Sequence, residues 1–325
     1  MRPRPPARWL ARRSALAMSV VLAVATLTFA LIHLAPGDPV FLLAGEGGSP
    51  SYYADMRAKY GLDRPLLTQF GRYVQAVGTG DFGYSFMYQA PVTRVIREHA
   101  PASLLLGGTA LAIATAGGFG LGLLCAVRPG GGVDAAIRAL ASVAYSAPVF
   151  STGQILILIW GVKLGVLPVA GITTAREDLA GLAQVADVAR HLILPAIALS
   201  LPFMAVVIRV TRAGILDALT EPFVLAARAR GLGAWRVVVR HAAAGTLVTI
   251  VALVGEHAGQ IAGGAALTEA LFGWPGVGWL VLHASLHRDY PLVIAAFIVI
   301  SAGVVVANIV TDVACAAIDP RIRLS

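Results

Sequence analysis

The sequence predicts an all-α membrane protein with six transmembrane helices and both termini in the cytoplasm. Three observations carry that prediction. Of 325 residues, 58% are hydrophobic and 13% charged, roughly half the charged share of an average soluble domain. Six windows reach the roughly 20 apolar residues that one crossing of the bilayer core needs. The basic residues, finally, gather on alternate sides of those windows in the sense of the positive-inside rule.

In chain order the windows are Ser14–Leu34, Ala102–Val127, Leu140–Gly165, His191–Val210, Ala243–Leu267 and Leu292–Cys315. A basic run, Arg2 to Arg13, precedes the first. It resembles the start of a signal peptide, but the apolar run that follows is longer than the usual 7–15 residues, so an uncleaved helix is expected. Gly117, Gly118, Gly120 and Gly122 in the second window, and Gly259, Gly263 and Gly264 in the fifth, predict close helix packing. Pro195 and Pro202 predict a kink in the fourth. Cys125 and Cys315 read as small apolar packing residues.

The net charge is +8, with 25 Lys and Arg against 17 acids. Nucleic acid is not the reason. With the N-terminus inside, Arg128, Arg138, Arg209, Arg212, Arg228, Arg230, Arg236, Arg240, Arg321 and Arg323 join the first run on the cytoplasmic side. The short outer segments hold only Lys163, Arg176, Arg190 and Arg288. Asp312 then lies near the inner end of the last span, placed to pair with a basic residue.

Two regions follow. Residues 1–100 form the first helix and a polar extracytoplasmic segment; residues 101–325 form a five-helix core. Within the core, 211–242 is the most informative stretch. Thr220 is placed to cap a helix with Pro222 in its first turn. About two turns follow, and Gly231 is a good residue to end them, because glycine adopts positive φ freely. A second short helix is expected near Ala234. Two short Arg-rich helices on the cytoplasmic face suit docking to a protein; they equally suit resting on anionic lipid.

ATP hydrolysis by this chain is excluded. A phosphate loop needs a lysine behind glycines, and the two lysines, Lys59 and Lys163, stand in Arg-Ala-Lys-Tyr and Val-Lys-Leu. An ion-coupled secondary transporter needs ionisable groups at mid-membrane. Glu256 and His257 in the fifth window form the single adjacent pair of that kind, which makes them candidates for the pathway. No Ser/His pair or His-Glu-x-x-His pattern supports a membrane protease. His283 and His287 have metal-compatible i, i+4 spacing on an outer segment, but no metal site is assigned to them.

At the 211–242 loop a resemblance becomes specific. Leu225-Ala226-Ala227, three residues, then Gly231 looks like the EAA loop of ABC importer permeases. The string AARARGLGAWRVVVRHA resembles the B-type permease subunit of the dipeptide/oligopeptide/nickel family. LAPGDP (34–39), YGLDRPLLTQF (60–70), GDFGYSF (80–86), TEALFGWPGVG (268–278), HRDYP (287–291) and DPRIR (319–323) extend the likeness over nearly the whole chain.

The resemblance implies a type I ABC importer permease fold in the inner membrane. It implies a second, similar permease, two cytoplasmic ATPases that use ATP and Mg, and an extracytoplasmic substrate-binding protein. No cofactor is expected in this chain. Phe223, Leu225, Ala226, Ala227, Arg230 and Gly231 would form the ATPase-coupling loop. Trp274, in an aromatic-rich outer segment, would sit in a rigid re-entrant loop at the mouth of the pathway rather than in an interfacial belt. The chain departs from the family pattern at four points. Leu225 replaces the glutamate of the loop's name, Pro222-Phe223 an Asp-Tyr, and Val248-Thr249 follows Leu247 where Leu-Leu-Pro is usual. Glu256-His257 replaces neutral residues.

Overall fold

A computed structural model describes residues 7–34, 49–60, 63–85, 87–174 and 180–318. The LAPGDP motif after Leu34 and the DPRIR tail lie outside the described residues. The first helix, α1, is Ala7–Leu34; α2 (Pro50–Tyr60) and α3 (Leu66–Thr79) follow. A two-stranded antiparallel ribbon, β1 (Tyr84–Ser85) and β2 (Ala90–Pro91), leads into α4 (Val92–Val127). Then come α5 (Gly132–Ser146), α6 (Val149–Leu156) and α7 (Leu182–Ala218). The short helices α8 (Pro222–Ala229) and α9 (Ala234–Val237) precede α10 (Ala243–Gly264). The chain closes with α11 (Ala266–Leu271), α12 (Val277–Leu286) and α13 (Tyr290–Ile318).

Among the described residues, α4, α7 and α13 are each long and apolar enough to cross a bilayer. The bent pair of α5 and Val149–Lys163, which is α6 with its π-helical continuation, makes a fourth if it counts as one span. The apolar stretches Met18–Ala30 of α1 and Ala243–Gly259 of α10 are shorter.

The third window is not one straight helix. Its halves meet at 108°. Pro148 has no N–H to continue the ladder, and it drives Ala147 out of the helical region to φ −77°, ψ 128°. Pro195 and Pro202 act differently: α7 runs as one helix through both. With 37 residues it is about 55 Å long at 1.5 Å per residue. That exceeds the roughly 30 Å hydrocarbon core, so part of α7 extends beyond the apolar layer.

The core sits where α4 meets α7. Gly118 and Gly122, one turn apart, let the backbones close: a methyl on Gly118 would come 2.6 Å from Val207 Cβ, and one on Gly122 2.6 Å from Thr211 Cβ. Gly120 faces open space. Across the molecule Gly255 packs under Thr311 and Gly259 under Val304, which seats α10 on α13. The contacts of Gly263 and Gly264 lie outside the described set. Both cysteines are buried and free. Gly122→Val is expected to cost about 1–3 kcal/mol through overpacking, seen as a lower melting temperature in detergent, whereas Gly120→Val leaves it unchanged.

Candidate functional site

One end of the molecule collects arginines. Arg13 of α1 pairs with Asp312 of α13, the helix-end partnership expected of that aspartate. The end of α7 reaches the same region and turns there. The Thr220 hydroxyl donates to the Asp217 carbonyl at 2.7 Å, so it closes α7 instead of capping α8. Helix α8 begins at Pro222, as proline's fixed φ favours. It ends at Ala229, with the Arg230 N–H donating to the Ala226 carbonyl at 3.2 Å. Gly231 then adopts φ +79° with no atom within 4 Å of where a Cβ would stand. The backbone turn, rather than lack of space, requires glycine there.

Val224 of α8 and Val237 of α9 are fully buried against each other, with Leu219 and Leu232 packed around them. That miniature core fixes the angle between the two short helices. Outside it, Ala226, Arg230, Gly231 and Arg236 are exposed, and Trp235 keeps 54% of its surface open. Phe223, Leu225 and Ala227 belong to α8, but their side chains lie outside the described set. A π-helical turn, Val238–Ala242, joins α9 to α10, so the element connects directly to an apolar helix. Local π geometry is frequent at functional sites.

On α10 the adjacent pair diverges. Glu256 is exposed. His257 is half-buried and stacks on Phe203 of α7, with ring centroids 3.8 Å apart. Its Nδ1 faces the Leu253 carbonyl at 3.2 Å. The carboxylate, rather than the imidazole, therefore lies on the open face of the helix.

Trp274 is corrected outright. It is 0% exposed, and its Nε1–H donates to the Ala102 carbonyl at 2.8 Å. Gly273 at φ +57° turns the chain so that the indole enters the core between α4 and α7. Trp274 thus anchors the far end and presents no lining surface.

Around it the motifs meet. Glu269 is fully buried and accepts from Ser103 Oγ at 2.7 Å and from the Trp279 N–H at 2.8 Å. Asp289 of the HRDYP motif accepts from Ser85 Oγ at 2.6 Å and the Met87 N–H at 3.1 Å, tying the ribbon to α13. Sequence reading assigned neither carboxylate a role. For Glu269 a lone acid inside an apolar, glycine-rich stretch was the available signal, since a buried charge persists only with partners. His283 and His287 are on α12 and just beyond it, with the His287 Nδ1 2.8 Å from the His283 carbonyl. No group of three or more potential metal ligands occurs among the described residues.

Apolar helices long enough to cross a bilayer, closed on glycine contacts and bearing an exposed basic element at one end, define a multi-pass membrane protein. Residues 118–324 match the model of the family described as "Binding-protein-dependent transport system inner membrane component". Residues 7–107 match that of its N-terminal membrane component. The chain is 34% identical over 334 residues to the dipeptide transport system permease protein DppB of Escherichia coli K12, covering 97% of this chain and 98% of that one. It is 36% identical over 332 residues to the di/tripeptide transport system permease protein DppB of Pseudomonas aeruginosa, covering 97% and 98%. The glutathione transport system permease protein GsiC of Salmonella paratyphi A is 35% identical over 303 residues, covering 93% and 94%. The chain belongs to the binding-protein-dependent transport system inner membrane component family, and it is a permease subunit of an ABC importer in the inner membrane.

Proposed function

We propose that this chain forms half of the passage for peptides in a peptide importer, spanning the membrane six times with both termini in the cytoplasm. The relatives named for dipeptide, di/tripeptide and glutathione transport support the substrate class. Its partners are a second, similar permease, two ATPase subunits that use ATP and Mg, and an extracytoplasmic binding protein. The coupling surface comprises Phe223, Leu225, Ala226, Ala227, Arg230 and Gly231. Glu256 is the candidate passage residue on α10, because an ionisable group on the open face of an apolar helix requires water or a polar partner.

The observation that carries the proposal is the α8–α9 element: an exposed, rigid surface closed by Gly231 at φ +79° and continuous with α10. The tagged chain, expressed with its neighbouring transporter genes and extracted in mild detergent, is expected to retain two ATPase subunits and a second permease. Purified alone it should hydrolyse no ATP. Recovery as a self-sufficient homo-oligomer that takes up solute on an ion gradient would overturn the proposal in favour of an ion-coupled transporter using Glu256 and His257.

A further inference from the structure

The arginine-rich end holds a buried ion cluster that lies apart from the docking helices. Asp134, in the first turn of α5, is 1% exposed. Its Oδ1 accepts from Arg212 Nε at 2.7 Å, and its Oδ2 from Arg212 Nη2 at 2.8 Å. Arg138 Nε adds a bond to Oδ1 at 3.2 Å, and the Gly130 N–H one to Oδ2 at 2.8 Å. A two-pronged guanidinium–carboxylate pair fixes angle as well as distance.

The clasp has a definite mechanical address. It fastens the α4–α5 turn to the arm of α7 that leads to the docking element. Leu123 and Ala126 of α4 pack there with Ile215 of α7 and with Val238 and Ala242 of the π turn. Leu219 touches both that cluster and the Val224–Val237 pair. A path of packed side chains therefore runs from Ile215, one turn beyond Arg212 on α7, to the docking helices.

We infer that Asp134 and Arg212 are positioning residues for energy coupling: they make the α4–α5 turn part of one rigid body with the docking element, so that both move together when the ATPases close. The inference rests on the docking reading above. Rigid-body rotation of packed elements is a common form of such switching, and a carboxylate bonded through both oxygens resists displacement of the turn from α7.

The test uses the assembled complex with spin labels on exposed positions. One pair, Ala136→Cys with Ala229→Cys, spans clasp and docking element; the other, Ala229→Cys with Leu286→Cys, spans the molecule. The first distance should be the same without nucleotide and in the vanadate-trapped state, while the second changes. In Asp134→Asn the first distance should broaden, and solute carried per ATP should fall about tenfold, within the usual range of coupling effects. The ATPase subunits should still copurify, and Arg212→Lys, which keeps the charge but loses the fork, should fall between. A first distance that shifts between states overturns the inference, as does a second that stays fixed, or undiminished solute per ATP in Asp134→Asn. If Asp134→Asn fails to assemble, the two distances in the otherwise native chain still decide. Absence of ATPase subunits from the unsubstituted complex would remove the docking reading, and this inference with it.

Discussion

Gly231→Val is expected to reach the membrane and assemble at normal levels, yet to lose about tenfold or more of its ATP-dependent uptake. Gly231 sits at φ +79°, and no neighbouring atom would obstruct a side chain. The cost is therefore conformational: a β-branched residue in the left-handed region carries about 1–3 kcal/mol of strain. Relief comes by turning the chain the ordinary way, which swings α9 relative to α8 and separates Val224 from Val237. The docking face is then misaligned while the apolar helices stay as they were. Gly231→Asn should retain most uptake, because asparagine tolerates this region better than other side chains. Paired uptake and membrane-abundance measurements on both variants check this. Equal impairment of Asn and Val, or normal uptake by Val, would show that the turn does not set the coupling geometry.

Glu269→Leu is expected to be the most destabilising single change at the far end. The carboxylate is fully buried and holds Ser103 Oγ and the Trp279 N–H. Ser103 Oγ in turn accepts the Val277 N–H at 2.7 Å. Leucine removes the acceptor and leaves buried donors unmet, at about 1–3 kcal/mol for each such group. Glu269→Gln keeps one acceptor and should cost about half as much. Thermal unfolding in detergent should rank wild type above Gln above Leu. A Leu variant as stable as wild type would show that the cluster is dispensable to the fold.

How far the sequence could be read depends on how local each determinant is. Gly231 was legible because proline start, two turns and glycine stop are written within a dozen residues. Gly118 and Gly122 were legible as a packing face because one helix carries both a turn apart, whereas Gly120, expected to pack with them, faces open space. Pro148 was equally visible, but apolar content alone defined the third window, and a window sum does not register a missing N–H. Asp134 and Glu269 were illegible for a different reason. Their main partners, Arg212 and Ser103, lie 78 and 166 residues away, and no periodicity reports such a pairing. Trp274 was expected at the mouth of the pathway because it stands in a Pro/Gly-rich outer segment; its partner, the Ala102 carbonyl, lies 172 residues away and is invisible to local pattern. Glu256 and His257 were legible as an ionisable pair in an apolar window, but the Phe203 ring that stacks on the histidine belongs to another helix, and no local pattern reports it.

The central claim is that this membrane subunit is driven by separate ATPases through the α8–α9 element. Uptake of a radiolabelled dipeptide into proteoliposomes holding the full complex, with the binding protein on the outer face and ATP inside, tests it most directly. The account predicts uptake that stops without ATP or with vanadate, persists when a proton ionophore collapses the gradient, and falls about tenfold with Gly231→Val. Uptake by this chain without ATPase subunits, driven by the ion gradient and abolished by the ionophore, would contradict it.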